Sequence, residues 1–203
     1  MASLKTLREK FEKRRRGRKR QFKLFRKTGE RGHQRKAGEH GRAMRKLAAL
    51  IKRRTPLRVK AFEHAEALIG VMEQGGNNAG PIVAKIIQAN GGLVGEPWCG
   101  DFVAYCYRLA GSKSVTRSWA AVRLISLVAG VRGTSNPRKG DLVRFTFDHV
   151  GLFEKDNGDG TITTVEGNTG ASGAVSDSAT GGDGVYRKIR EKSLVNDYLR
   201  VTR

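Results

Sequence analysis

Cysteine is nearly absent from this chain: Cys99 and Cys106 are the only two among 203 residues. They could form one disulfide at most. If both lie on one helix, their Cα atoms stand about 10 Å apart at 1.5 Å per residue, beyond the ~7 Å that a disulfide can span. Both are therefore read as free thiols. Long apolar runs are missing too, and nothing approaches the roughly 20 residues that cross a bilayer. The N-terminus is basic but has neither the apolar core nor the small-residue cleavage site of a secretory signal. A protein of this kind that acts outside the cytoplasm is expected to be delivered by another route.

Acidic residues are scarce at one end only. Residues 1–60 hold 24 Lys and Arg against four Glu, a net charge of +20, whereas residues 61–203 hold 16 basic and 15 acidic side chains. Two different materials are joined end to end, and the division is expected at residues 1–55 and 56–203. Within the basic arm, Leu4, Leu7 and Phe11, then Met44, Leu47, Ala48 and Ile51, follow helical spacing. The pattern predicts two or three short basic helices with a flexible break over Gly29–Gly41. None has an apolar face wide enough to be stable alone, so the arm is expected to order on a partner.

Beyond the arm, Thr55-Pro56 reads as a helix start, with the helix running to about Gln74 before "GGNNAGP" stops it. Pro81 opens a second helix to about Ala89, and a third runs from about Cys99 to Leu109, ending at Gly111. A further helix is expected over Trp119–Val128. From Lys139 the grammar turns to strands: "GDLVRFTF", "HVGLFE", a "DNGDG" turn, "TITTVEG", then "GVYRKIR" and "DYLRVTR". Helices first and an antiparallel sheet afterwards define an α+β domain.

The chemistry concentrates around Cys99. It follows Glu96-Pro97-Trp98 at the mouth of an apolar helix, where unpaired backbone N–H groups favour a thiolate and can hold an oxyanion. Cys106, inside the same helix between Tyr105 and Tyr107, has no such groups and belongs to the core. A nucleophilic cysteine needs a base in reach and a third group to orient that base. After residue 60 there are two histidines: His64, among Glu63 and Glu66, reads as solvated, and His149 opens the "HVGLFE" strand. If "DNGDG" makes a hairpin, His149 faces Glu166–Asn168 across the ladder. A carboxylate or carboxamide there can accept the imidazole Nδ1–H and fix the tautomer.

These motifs, "EPWCGDFVAYCYRLAG", "GDLVRF", "DHVGLFE" and "TTVEGNTG" in that order, resemble the CHAP family, the cysteine, histidine-dependent amidohydrolases and peptidases of peptidoglycan. The resemblance covers roughly Glu73 to Arg190. It implies a papain-like fold, with N-terminal helices packed on an antiparallel sheet. It further implies Cys99 as nucleophile, His149 as general base and then acid, Glu166 orienting His149, Asn168 as a further polar member and Trp98 lining the substrate cleft. Peptidoglycan is the implied substrate, cut at an amide bond through a Cys thioester. The choice of bond, amidase or endopeptidase, is expected in loops 112–119 and 169–183. A bacteriophage endolysin or virion-associated lysin is the implied setting, in the host cytoplasm before release or on the particle, with the cell wall as target.

No cofactor is implied. Some relatives bind calcium near the start of the domain, but "EQGGNNAGP" is poor in Asp, and "DNGDG" is too short for an EF-hand, so no metal site is expected. For the basic arm, three readings compete: binding to anionic wall polymer or a membrane surface, binding to nucleic acid, or docking onto a phage particle or partner protein. The broken apolar face between Phe11 and Phe22 favours a polyanion. A rival reading of the whole chain is a nucleic-acid-binding or structural virion protein whose CHAP-like domain is inactive.

Overall fold

A computed structural model describes residues 2–170 and 182–202, so most of the 169–183 loop lies outside the described residues. The chain divides into two compact units, Met1–Thr55 and Pro56–Arg203.

The first unit is a helical hairpin of α1 (Leu4–Thr28) and α2 (Arg31–Arg54). Ser3 caps α1, its Oγ accepting from Thr6 N at 3.1 Å. Gly29, left-handed at φ 71°, ends that helix with its N–H on Phe25 O. The flexible break expected over residues 29–41 shrinks to Gly29 and Glu30, because α2 absorbs Gly32, Gly38 and Gly41. The small residues serve packing instead. Ala37 and Gly41 are buried, and a Cβ on Gly17 of α1 would stand 2.8 Å from the His40 ring of α2. Helices that approach this closely need no wide apolar stripe. Polar contacts complete the seam: His33 Nδ1 meets Gln21 Oε1 at 2.8 Å.

The second unit begins with α3 (Leu57–Glu66), α4 (Pro81–Ala89) and α5 (Cys99–Ala110). Six strands follow: β1 (Val131–Gly133), β2 (Leu142–Phe145), β3 (Val150–Asp156), β4 (Thr161–Thr169), β5 (Gly184–Glu191) and β6 (Val195–Val201). They form one sheet in the order β1-β6-β2-β3-β4-β5, every pair antiparallel. Helix α5 is apolar on nearly every side, with Phe102, Val103, Ala104, Cys106 and Tyr107 all fully buried. With Phe62, Ile86 and Trp119 they pack onto Leu142, Leu152, Val165, Val185 and Leu199 of the sheet. Tyr107 Oη donates to Gly140 O at 2.6 Å within that core. A smaller cluster of Val143, Phe145, Phe153 and Ile162 is buried apart from it, so β2 carries buried side chains of both clusters.

Three elements differ from the sequence pattern. Helix α3 stops at Glu66 rather than near Gln74, because the chain after Gly70 (φ 90°) pairs with β5: Gly70 N donates to Val185 O and Glu73 N to Asp183 O. The helix expected over 119–128 is two 3-10 turns, Arg117–Ala120 and Val122–Leu127, separated by an extended Ala121. Strand β1 carried no clear alternation. It exists because it pairs with β6.

Candidate active site

Helix α5 begins at Cys99 with Trp98 in the N-cap position and no side-chain cap. The N–H groups of a helix's first turn lack helical partners, and the N–H of Trp98 just before them meets Asn168 at the end of β4. In the amide orientation that matches donors to acceptors, Asn168 Oδ1 accepts from Trp98 N at 3.1 Å. Its Nδ2 donates to Asn78 Oδ1 and to Gly182 O, each at 3.1 Å. Asn78 Nδ2 in turn donates to Gly95 O at 3.1 Å.

Asn78 (φ 53°) and Asn168 (φ 57°) are the two non-glycine residues of left-handed backbone among the described residues. Asn tolerates that region because its short polar side chain bonds locally, and both residues are buried. Two backbone turns are thus locked together beside the Cys99 peptide. They line one cavity of about 210 Å³ with Asn77, Pro97, Cys99, Asp148 and His149.

His149 lies just before β3, its ring stacked on Phe145 and Phe147 at centroid distances of 5.7 and 5.9 Å. Its Nε2 meets Glu166 Oε2 at 3.0 Å. A carboxylate can only accept, so Nε2 carries a proton toward Glu166, and Nδ1 is the ring nitrogen left for the Cys99 thiol, which lines the same cavity. The expectation that Glu166 would take Nδ1–H is reversed: the ring is held on Glu166 through Nε2.

Glu166 is fully buried and four-fold engaged. Arg190 Nη2 donates to Oε2 at 2.8 Å and Arg190 Nε to Oε1 at 3.2 Å. Thr164 Oγ1 donates to Oε1 at 2.5 Å, beside the His149 contact on Oε2. Burial alone would raise the Glu166 carboxyl, but His149 and Arg190 outweigh it and hold it down at about 2. For His149 burial pushes the imidazole down, yet Cys99 and Glu166 more than offset that and raise it to about 10. Cys106, fully buried two turns along α5, is pushed up by burial.

Of the residues singled out in the sequence, Cys99, His149 and Asn168 share the cavity, and Glu166 stands directly behind His149. Trp98 does not line the cavity. It belongs to the core, 0% exposed, edge-on to Phe102, with Nε1 donating to Glu73 Oε1 at 2.9 Å. The peptide of Trp98 abuts the site while its indole anchors residues 73–78. The acids of "DNGDG" cap their own turn: Asp156 accepts from Gly158 N and Asp159 from Thr161 N. No group of three metal-ligating side chains occurs among the described residues.

The sequence reading missed Arg190, Thr164, Asn78 and Glu73. For Arg190 a signal existed. In "VYRKIR" the alternation runs backwards, with Lys188 and Arg190 buried and Ile189 half exposed, and a charge at an inward strand position needs a buried partner.

A helix-start thiol that shares a cavity with an imidazole held by a buried carboxylate has the groups that nucleophilic acyl transfer requires. The family model of the CHAP domain matches residues 91–168, from just after α4 to the end of β4. The family implies cysteine- and histidine-dependent amidohydrolase or peptidase activity on peptidoglycan. No curated protein and no solved structure matches the chain.

Proposed function

We propose that this protein cleaves an amide bond of peptidoglycan with Cys99 as nucleophile. The observation that carries the reading is the shared cavity of Cys99 and His149, with His149 anchored through Nε2 on Glu166. The raised imidazole of His149 keeps the thiol proton on Nδ1 as an imidazolium, and the Cys99 thiolate attacks the amide carbonyl. The backbone N–H of Cys99, at the start of α5, holds the resulting oxyanion. The tetrahedral intermediate collapses to a thioester as the imidazolium gives its proton to the leaving amine. Water then attacks the thioester, His149 taking its proton, and the thiol and a new carboxylate are released. Glu166 stays ionised throughout and fixes the ring. Asn168 holds the Trp98 N–H, one residue before Cys99, and Asn78 holds Asn168.

The setting within this proposal is a bacterial wall lysin of the phage endolysin or virion-associated kind, which the likeness of the motifs supports. Purified peptidoglycan digested with wild type and with Cys99→Ala, products identified by mass spectrometry, tests the reading. Fragments from wild type alone support it, and their new termini name the bond as muramoyl–alanine or peptide. No fragments from wild type on walls of several cross-link types would sink it.

A further inference from the structure

We propose that the α1–α2 hairpin is a docking surface for the phosphodiester polymers of the bacterial wall; the choice of wall rests on the hydrolase reading above. The hairpin carries 22 Lys and Arg against four Glu and no Asp. Its own fold leaves those charges outward. The inward face is made by Leu7, Ala37 and Gly41 with the His33–Gln21 contact, and every Lys and Arg except Arg54 is solvent-exposed. Among the exposed ones, Arg15 pairs with Glu12 at 2.9 Å.

On α1, Arg14, Arg15, Arg16, Arg18, Lys19 and Arg20 occupy six of seven successive positions. At about 100° per residue they encircle the helix, and the charge continues along a rod of 25 residues, about 37 Å long at 1.5 Å per residue. Such a surface suits a long flexible polyanion engaged from any side. Arg outnumbers Lys, 13 to nine, and the guanidinium fork matches phosphate oxygens two at a time.

The other partners fit less well. Insertion into a membrane needs a continuous apolar stripe, and the one large apolar side chain of the hairpin that is well exposed is Phe22, with Arg18 over its ring at 5.4 Å. A neutral glycan is gripped by aromatic platforms and fixed polar side chains, which this surface does not offer. Base readout uses Arg forks as well as Asn or Gln, and the hairpin holds many Arg, no Asn and the exposed Gln34, so nucleic acid is a charge-matched competitor of the wall polymer. Between charge-matched phosphate polymers, the tether decides. A domain that works on the wall gains local concentration from a wall-bound arm on the same chain.

The test is retention of the full chain carrying Cys99→Ala, so that walls stay intact. It is sedimented with purified walls, with the same walls stripped of phosphate polymers, and with duplex DNA as competitor, between about 50 and about 200 mM salt. Tight retention on intact walls, loss on stripped walls, and a fall of about a hundredfold or more across that salt range are expected. In the same background, R14Q/R15Q/R16Q/R18Q/R20Q should weaken retention at least about tenfold and flatten the salt slope, since each lost phosphate contact removes roughly 0.7–0.9 from it. Equal retention on stripped walls overturns the proposal, as does displacement by DNA at phosphate concentrations below that of the wall, which would make nucleic acid the partner. The stripped-wall comparison uses an unchanged hairpin and does not depend on the variant folding. A failed hydrolase reading would show instead in the digest by wild type, whatever the retention.

Discussion

At Glu166 a single carboxylate joins two jobs, since the oxygens that orient His149 are the ones Arg190 neutralises. Arg190→Leu leaves that charge buried with only His149 and Thr164, and losing one member of a buried pair costs about 3–5 kcal/mol. Thermal melts should show that loss, and kcat should fall with it, while Arg190→Lys should restore part of both. The shifted groups also set a pH response. His149 is raised from 6.5 to about 10, so its contribution to stability is whole below 6.5 and is lost as pH rises toward 10. Glu166 is lowered from 4.5 to about 2, so its contribution is whole above 4.5 and is lost as pH falls toward 2. Melting temperature across pH should therefore decline on both sides of the interval between. Cys99→Ala removes a cause that raises His149, so its alkaline decline should finish at lower pH; an unchanged curve would separate Cys99 from His149. Iodoacetamide at mildly acidic pH should label Cys99 and spare the buried Cys106, as peptide mapping can read. Cys99, His149 and Glu166 were legible in the sequence because hairpin pairing alone brings the last two together. The nitrogen His149 uses was not, since ring orientation depends on Phe145, Phe147 and Arg190, which only the folded sheet supplies.

Between elements, the site depends on how closely β4 crosses α5. A Cβ on Gly167 would lie 2.5 Å from Phe102 Cγ and 2.9 Å from Trp98 Cζ3, so alanine there must push strand from helix and carry Glu166 and Asn168 with it. Gly167→Ala should lower the melting temperature sharply and cut turnover. Gly158→Ala, at φ 83° in the open turn with nothing within 4 Å, should cost only about 1 kcal/mol and leave turnover intact. Equal effects from both would remove the crossing from the account. Helices α4 and α5 and strands β2 to β6 were readable from local grammar: Pro81 at a start, Gly111 at an end, alternation in between. What escaped was decided at a distance. Gly70 leaves the helix because Val185 O awaits its N–H. Gly41 of α2 looked like part of a hinge, yet it is buried with Arg18 of α1 beside it, and only the neighbour distinguishes the two uses.

Over the whole molecule charge is segregated, about +18 on the hairpin and +3 on residues 56–203. Release of fragments from intact walls should therefore fall steeply as salt is raised, while hydrolysis of a short soluble peptidoglycan fragment should hardly change. Matching salt curves for the two substrates would deny the hairpin any part in delivery. The supports of the site also have an address. Cys99, His149, Glu166 and Asn168 lie within residues 91–168, but Glu73 and Asn78 come before that stretch and Arg190 after it. Anyone grafting this domain by the bounds of that match would find the boundary misleading. A graft cut at 91 and 168 would transplant every reactive group and abandon the residues that aim them; the smallest portable unit runs from α3 to β6.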